Sequence, residues 1–206
     1  MSVSLPVAAD VVDLRGDTPR DTDRFYVDTN VWYWTTYSRA SQLPGTASPL
    51  PYQIRDYPQY IGRALHAGSF LGWSAASVAE LAHVIGRAER TLLNARLGID
   101  VGIKEFRRDY ADEREDAVAE IQAAWGSINS IGSIIDMDIN HDLIANALIR
   151  LSSEPLDGYD ALVVEHLCRS SIRQVITDDS DFAAVSGLTV FTAIGTSSPK
   201  PGLRGG

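Results

Sequence analysis

Short apolar runs alternate with longer amphipathic stretches along this chain. The apolar runs predict strands at 25–27, 70–73, 133–137, 174–177 and 188–191. Apolar positions at helical spacing predict helices at 31–37, 58–67, 77–97, 100–126, 141–151 and from about 160 to 168. Strands that alternate with helices in this way are typical of a mainly parallel sheet with helices on both faces, so the pattern predicts the α/β class.

Residues that favour turns and caps mark the ends of these elements. Gly68 and Gly98 are suited to end the second and third helices, and Asn140 to cap the helix that follows it. Residues 41–52 contain three prolines and a glycine and are expected to form a loop.

A chain of 206 residues with 45% apolar content is long enough to bury one substantial core. Residues 25–196 are therefore expected to form a single domain. Residues 1–24 mix Asp and Arg with little periodic hydrophobicity and are expected to form a poorly ordered or draped arm. The stretch 197–206, with two prolines and three glycines, is expected to be a flexible tail.

Nothing in the sequence predicts membrane insertion or secretion. The chain has no run of about 18 uninterrupted apolar residues, and its N-terminus lacks a basic region followed by a long apolar one. Cys168 is the only cysteine, so an internal disulfide is excluded. A cytoplasmic protein that does not contact membranes is the expectation.

The formal net charge of −9 argues against generic adsorption to nucleic acid, which depends on lysine and arginine meeting phosphates. Seven of the 18 basic residues nevertheless fall between positions 87 and 114. They are Arg87, Arg90, Arg96, Lys104, Arg107, Arg108 and Arg114. This segment is the best candidate for holding phosphates, and a solvated helix with Glu/Arg pairs is the open alternative.

Carboxylates stand where predicted strands end or helices begin, and each has a plausible structural role. Asp28 could cap a helix or form an Asx-turn. Glu80 ends the pattern Ser-x-x-Glu that begins at Ser77, which is typical of a capping box. Asp160 would lie in the first turn of a helix, where the helix dipole favours a negative charge.

Taken in order, four acidic stretches resemble the active-site motifs of the PIN-domain nucleases, which include the VapC-like toxin ribonucleases and their relatives. The stretches are 26–30 around Asp28, 77–81 around Glu80, 158–162 around Asp160 and 177–182 around Asp179. The family's Thr-x-Asp-x-Asp-Phe motif matches Thr177, Asp179, Asp181 and Phe182. The matches span residues 25–192, but the chain is long for a toxin-type member, and residues 87–130 carry no motif.

The resemblance implies a PIN-like three-layer α/β/α fold with a central, mainly parallel sheet. It also implies hydrolysis of RNA phosphodiester bonds that depends on Mg²⁺ or Mn²⁺, ions that prefer oxygen ligands. The implied catalytic residues are Asp28, Glu80, Asp160 and Asp179, and the implied metal ligands are these four together with Asp181. Implied partners are an RNA substrate, an antitoxin-like protein and a second copy of the chain.

Other functions stay open at this point. A housekeeping RNA-processing nuclease or a catalytically silent PIN-like interaction module would carry the same motifs. A haloacid-dehalogenase phosphatase is disfavoured because Asn30 occupies the place of its second Asp, and an EF-hand because its Gly and distal Glu are missing. Among nearby polar residues, Glu89, Glu165 and His166 are expected at helix surfaces, whereas Asp178 is ambiguous.

Overall fold

The structure, a computed structural model, describes residues 7–43 and 51–194. Its strands are β1 (Asp10–Asp13), β2 (Arg24–Val27), β3 (Phe70–Trp73), β4 (Ser133–Ile134), β5 (Gln174–Ile176) and β6 (Thr189–Thr192). Its α-helices are α1 (Thr29–Thr36), α2 (Pro51–Ala67), α3 (Ala75–Leu97), α4 (Ile103–Asp109), α5 (Ala111–Ile131), α6 (His141–Ser153) and α7 (Gly158–Ser170). In the described part of the chain, no helix is both long and apolar enough to cross a membrane.

The strands form one sheet in the order β1-β6-β5-β2-β3-β4, and every pairing is parallel. The central strand β2 lies between β3 and β5, so that Tyr26 is paired with Gly72 on one side and with Val175 on the other. From β2 the chain first proceeds to β3 and β4, and only later returns to β5 and β6 on the opposite side. The β2–β5 boundary is therefore the topological switch point of the sheet.

Side chains of the central strands alternate between two cores, one on each face of the sheet, as the strand repeat of two residues requires. Phe25 and Val27 pack into the core formed with helices α1, α2, α3 and α5, whereas Tyr26 packs into the core formed with α6 and α7. Trp32 and Tyr33, near the start of α1, belong to the first core. The predicted three-layer α/β/α fold with a parallel sheet is thereby confirmed.

The far end of α3 has a small apolar core of its own, which we call the distal cluster: Leu93, Val101, Phe106 and Ala117. The near half of α3 and the last turns of α5 instead share the main core. The two helices are therefore antiparallel. Since α5 leads into the start of the parallel strand β4, α3 must run away from the sheet, beyond its carboxyl edge. The far half of α3, α4 and the start of α5 form what we call the α3–α5 projection.

Several predicted boundaries were wrong. Helix α2 begins at Pro51 and contains Pro58, the predicted start; a proline suits the first helical position, and Pro51 occupies it. The predicted helix 100–126 is two helices, α4 and α5, and the predicted strand 133–137 shrinks to the two residues of β4.

The arm predicted for residues 1–24 contributes an edge strand, β1, whose Val11 is paired with Val190 of β6. The strand signal in the sequence is weak here, because the apolar run between Asp10 and Asp13 is only two residues long. Leu14, directly after β1, is fully buried in the main core. The tail 197–206 and residues 44–50 of the predicted loop lie outside the described residues.

Candidate active site

The carboxyl edge of the sheet collects acidic residues from four separate parts of the chain. Asp28 directly follows β2, and Asp179 follows the neighbouring strand β5. Helix α3 leaves the end of β3 and carries Glu80, while α7 leads into β5 and carries Asp160 in its first turn. Because all strands are parallel, these positions lie at one edge, on both sides of the switch point.

Asp28 is buried, with 6% of its surface exposed, yet it lies at the N-cap position of α1. Among the described residues its side chain makes no capping hydrogen bond to that helix. Its Oδ2 instead accepts a hydrogen bond of 2.7 Å from Oγ1 of Thr177, a residue that follows β5. The carboxylate is thus held across the switch point by Thr177, in addition to a hydrogen bond from the backbone of Thr29.

Glu80 is not part of the capping box that its sequence suggested. Helix α3 begins earlier, so Ser74 is the N-cap and Ser77 its box partner, with Ser77 Oγ accepting a hydrogen bond from Ser74 N at 3.2 Å. Glu80 Oε2 accepts a hydrogen bond of 2.6 Å from Thr29 Oγ1. The hydroxyl of the residue after Asp28 therefore positions Glu80.

Asp160 is half-buried and is likewise not the cap of its helix. The cap of α7 is Asp157, whose Oδ1 accepts hydrogen bonds from the backbone nitrogens of Tyr159 and Asp160 at 2.8 and 2.9 Å. Asp160 lies in the first turn of α7, as the sequence predicts, and the capping role in that turn belongs to Asp157.

Asp179 begins a short 3-10 turn, Ser180–Ala184, and its Oδ1 accepts a hydrogen bond of 2.8 Å from Asp181 N. Its own backbone nitrogen donates to Thr177 Oγ1 at 2.9 Å. The Thr177 hydroxyl therefore accepts from Asp179 and donates to Asp28, which fixes the two acidic residues relative to each other. Asp181 is half-buried beside Asp179.

Four of the predicted residues come close enough to perturb one another electrostatically. Burial raises the pKa of Asp28 to about 7, and the charges of Glu80 and Asp179 add to this effect. Burial also raises the pKa of Asp160 to about 8. The charges that add to burial there are those of Asp28, Asp157, Asp179 and Glu80.

Asp181 lies at the margin of this group. Burial raises its pKa, and the neighbouring charges that contribute are those of Asp179 and Asp157. We refer to Asp28, Glu80, Asp160 and Asp179 as the carboxylate cluster.

The chemistry of the carboxylate cluster fits a hard divalent cation, because its donors are oxygens and a cation would relieve their mutual repulsion. The arrangement is not a closed ligand shell. Within residues 7–43 and 51–194, no three His, Cys, Asp or Glu side chains are grouped as a ready-made metal site. Two of the four carboxylates are instead held by threonine hydroxyls.

Asp178, which the sequence left ambiguous, is tied to helix α2. Its Oδ1 accepts a hydrogen bond of 2.6 Å from the hydroxyl of Tyr57, and its Oδ2 accepts from the Tyr52 hydroxyl at 3.1 Å and from Gln53 Nε2. Tyr57 also contacts the backbone oxygen of Thr177 at 3.0 Å. This network anchors the segment that carries Thr177 and Asp179. Local sequence could not predict this network, because Tyr57 lies 121 residues from Asp178.

Three residues expected at helix surfaces are buried. Glu89 accepts a hydrogen bond from the Tyr37 hydroxyl at 2.6 Å and pairs with Arg39. Glu165 is buried because partners on its own helix and on α6 compensate its charge; they are Arg150, Arg169 and Asn146. His166 is also buried, and burial lowers its pKa.

Comparison with known proteins gives a likeness of fold. No family model and no curated protein matches the sequence. The crystal structure of VapBC2 from Rickettsia felis, bound to a DNA fragment from their promoter, contains a chain that matches with a TM-score of 0.50 at 12% identity. The match covers 82% of this chain and 97% of that one.

The fold is PIN-like. The resemblance to PIN-domain proteins that the motifs indicated is therefore confirmed for the architecture. A second solved structure, PAE2754 from Pyrobaculum aerophilum, matches with a TM-score of 0.41 at 16% identity, over 86% of this chain and 90% of that one. At such identities the likeness concerns the fold, and the chemistry rests on this chain's own residues.

Proposed function

We propose that the protein is a metal-dependent endoribonuclease that hydrolyses RNA phosphodiester bonds. The observation that carries the proposal is the meeting of Asp28, Glu80, Asp160 and Asp179 at the carboxyl edge of a PIN-like sheet. Asp28 makes no capping hydrogen bond to α1, and Ser77 rather than Glu80 completes the capping box of α3. Acidic groups that repel one another at a sheet edge favour a functional explanation.

The carboxylate cluster would hold Mg²⁺ or Mn²⁺, with Asp181 as a further ligand, direct or through water. When bound, such an ion supplies Lewis-acid stabilisation of phosphate charge and lowers the pKa of water. The protein contributes orientation: Thr177 holds Asp28, and Thr29 holds Glu80. Burial of Asp28 keeps bulk water from screening its charge.

RNA is the proposed substrate, by resemblance of the motifs to PIN-domain ribonucleases. We further propose that the chain is the toxin of a toxin–antitoxin pair, acts in the cytoplasm and binds an antitoxin-like protein. The likeness to a chain of the VapBC2 structure supports this assignment. Growth arrest on induction, relieved by the product of a neighbouring reading frame, would test it. The other predicted partner is a second copy of the chain. Sedimentation velocity would show whether the protein is a homodimer.

The nuclease proposal is tested by incubating purified protein with a labelled single-stranded RNA pool in Mg²⁺, in Mn²⁺ or in chelator. Cleavage is expected with either ion, none with chelator and none with Asp28→Asn. A matched control is Asp112→Asn, which changes an exposed aspartate in the first turn of α5. Cleavage that persists in Asp28→Asn would contradict the assignment, and so would wild-type protein that cleaves nothing and binds no Mn²⁺.

A further inference from the structure

Most basic side chains of this acidic protein are already engaged. Within the described residues, Arg15, Arg39, Arg55, Arg90, Arg96, Arg150 and Arg169 form ion pairs. Arg63 and Arg173 donate to backbone carbonyls, and Arg24 stacks on an aromatic ring. Cations that are already paired or hydrogen-bonded in this way are poorly suited to bind a phosphate.

Helix α4 is different, because it presents three basic side chains without a partner among the described residues. Lys104, Arg107 and Arg108 are all exposed and fall at positions i, i+3 and i+4, so they share one face of the helix. Phe106 points the other way, into the distal cluster. The packing of Phe106 fixes the orientation of α4, and this basic face is turned outward. We call Lys104, Arg107 and Arg108 the basic face.

The basic face lies on the same side of the sheet as the carboxylate cluster. Glu80 is near the start of α3, and the α3–α5 projection extends from there beyond the carboxyl edge. From Glu80 to Leu97, at the end of α3, the helix advances about 25 Å at about 1.5 Å per residue. Single-strand binders typically engage about 4–16 nucleotides, so a bound strand can reach this far.

We infer that the basic face of α4 is a docking surface for the phosphate backbone of the RNA strand whose scissile bond lies at the carboxylate cluster. The inference rests on the proposed nuclease function. In a protein of net charge −9, contacts to phosphate need a local group of free cations, and α4 provides one. Backbone contacts of this kind position a strand and carry no sequence information.

The test compares the triple variant Lys104→Ala, Arg107→Ala, Arg108→Ala with the control Arg20→Ala. Arg20 is also exposed and its guanidinium is unpaired among the described residues. It lies at the opposite, amino edge of the sheet, where its backbone oxygen accepts from Ser69 ahead of β3. All four side chains are exposed, so both variants are expected to keep the wild-type melting temperature.

Binding is measured in chelator by fluorescence polarisation with a labelled RNA of about 20 nucleotides, longer than most single-strand sites. The triple variant is expected to bind about tenfold more weakly at low salt, and Arg20→Ala within about twofold of wild type. The slope of log K against log salt should decrease by about 2, because each contact to a single strand contributes about 0.7.

Cleavage in Mg²⁺ provides the second readout. The triple variant should show a raised KM and an unchanged kcat on the long RNA, and unchanged kcat/KM on a dinucleotide too short to reach α4. A triple variant that binds and cleaves the long RNA as well as Arg20→Ala does would overturn the inference. The nuclease proposal would still stand in that case. Weakened RNA binding by the triple variant, with no cleavage by any of the proteins, would overturn the nuclease proposal and leave only the contact between RNA and the basic face. Wild-type protein that does not bind the long RNA would overturn the inference as well.

Discussion

Replacing Asp28 by asparagine is expected to stabilise the metal-free protein while abolishing its activity. The side chain is buried, its carboxylate is repelled by Glu80 and Asp179, and its pKa rises from 3.8 to about 7. A difference of about three pKa units corresponds to about 4 kcal/mol of destabilisation once the group ionises, at about 1.4 kcal/mol per unit. Asparagine removes the charge and can still accept the hydrogen bond from Thr177.

The net gain should be smaller than 4 kcal/mol, because the buried amide of asparagine needs partners for its N–H groups and a missing partner costs about 1–3 kcal/mol. We therefore expect about 2 kcal/mol at pH 7.5 in chelator. For a chain of this size that gain corresponds to roughly 4–8 °C in melting temperature. The control Asp112→Asn removes a charge that the dipole of α5 favours and should lower stability by about 0.3–1 kcal/mol.

The pH dependence fixes the sign of the effect. The unfolded chain releases the Asp28 proton near pH 3.8, while the folded protein keeps it until about pH 7. Between these values the unfolded state binds fewer protons, so this group makes wild-type stability fall as pH rises. The advantage of Asp28→Asn over wild type should therefore be absent below about pH 4 and complete above about pH 7. An asparagine variant that is less stable at pH 7.5, with a difference that does not change on acidification, would show that the buried Asp28 charge does not destabilise the protein.

Other predictions concern single groups. Glu80→Gln should retain the melting temperature, because Ser74 and Ser77 form the capping box, but lose RNA cleavage; full cleavage would remove Glu80 from the site. Tyr57→Phe should lower the free energy of unfolding in urea by about 1–3 kcal/mol, because buried acceptors lose their donor; an unchanged value would contradict the anchoring role of Tyr57. Glu165→Gln should cost about 2–3 kcal/mol at pH 7 and much less near pH 3. Despite burial, its arginine partners hold the pKa of Glu165 below its usual range, so its contribution is present above the unfolded pKa and disappears as pH falls. An equal loss at both pH values would argue against that pairing.

The sequence was a good guide wherever the decisive signal is local. The strand that ends at Val27, the helix that ends before Gly98 and the cap at Asn140 each depend on neighbouring residues, and each was predicted. The carboxylates of the cluster could be singled out because their motifs follow one another in the order of a known family. Short, polar-bounded strands such as β1 lack such a signal and were missed.

Roles that depend on distant partners could not be read from the sequence. The sequence around Glu165 predicts a surface position, because its partner Arg150 belongs to another helix and cannot be identified locally. Asp178 and its acidic neighbours Asp179 and Asp181 look alike in the sequence and are distinguished only by their contacts. The contact that distinguishes Asp178 is Tyr57, which belongs to the distant helix α2. The competing capping role of Glu80 was decided by Ser74, because an N-cap that moves by three residues changes which side chain completes the box.

We propose that Asp28, Glu80, Asp160 and Asp179 form one cation site. A calorimetric titration with Mn²⁺ tests it without reference to any substrate. We expect saturable binding to the wild-type protein, weakened at least about tenfold by Asp160→Asn and unaffected by Asp112→Asn, because loss of a carboxylate ligand lowers the affinity for the ion. Absence of saturable binding, or equal affinity in wild type and Asp160→Asn, would contradict it.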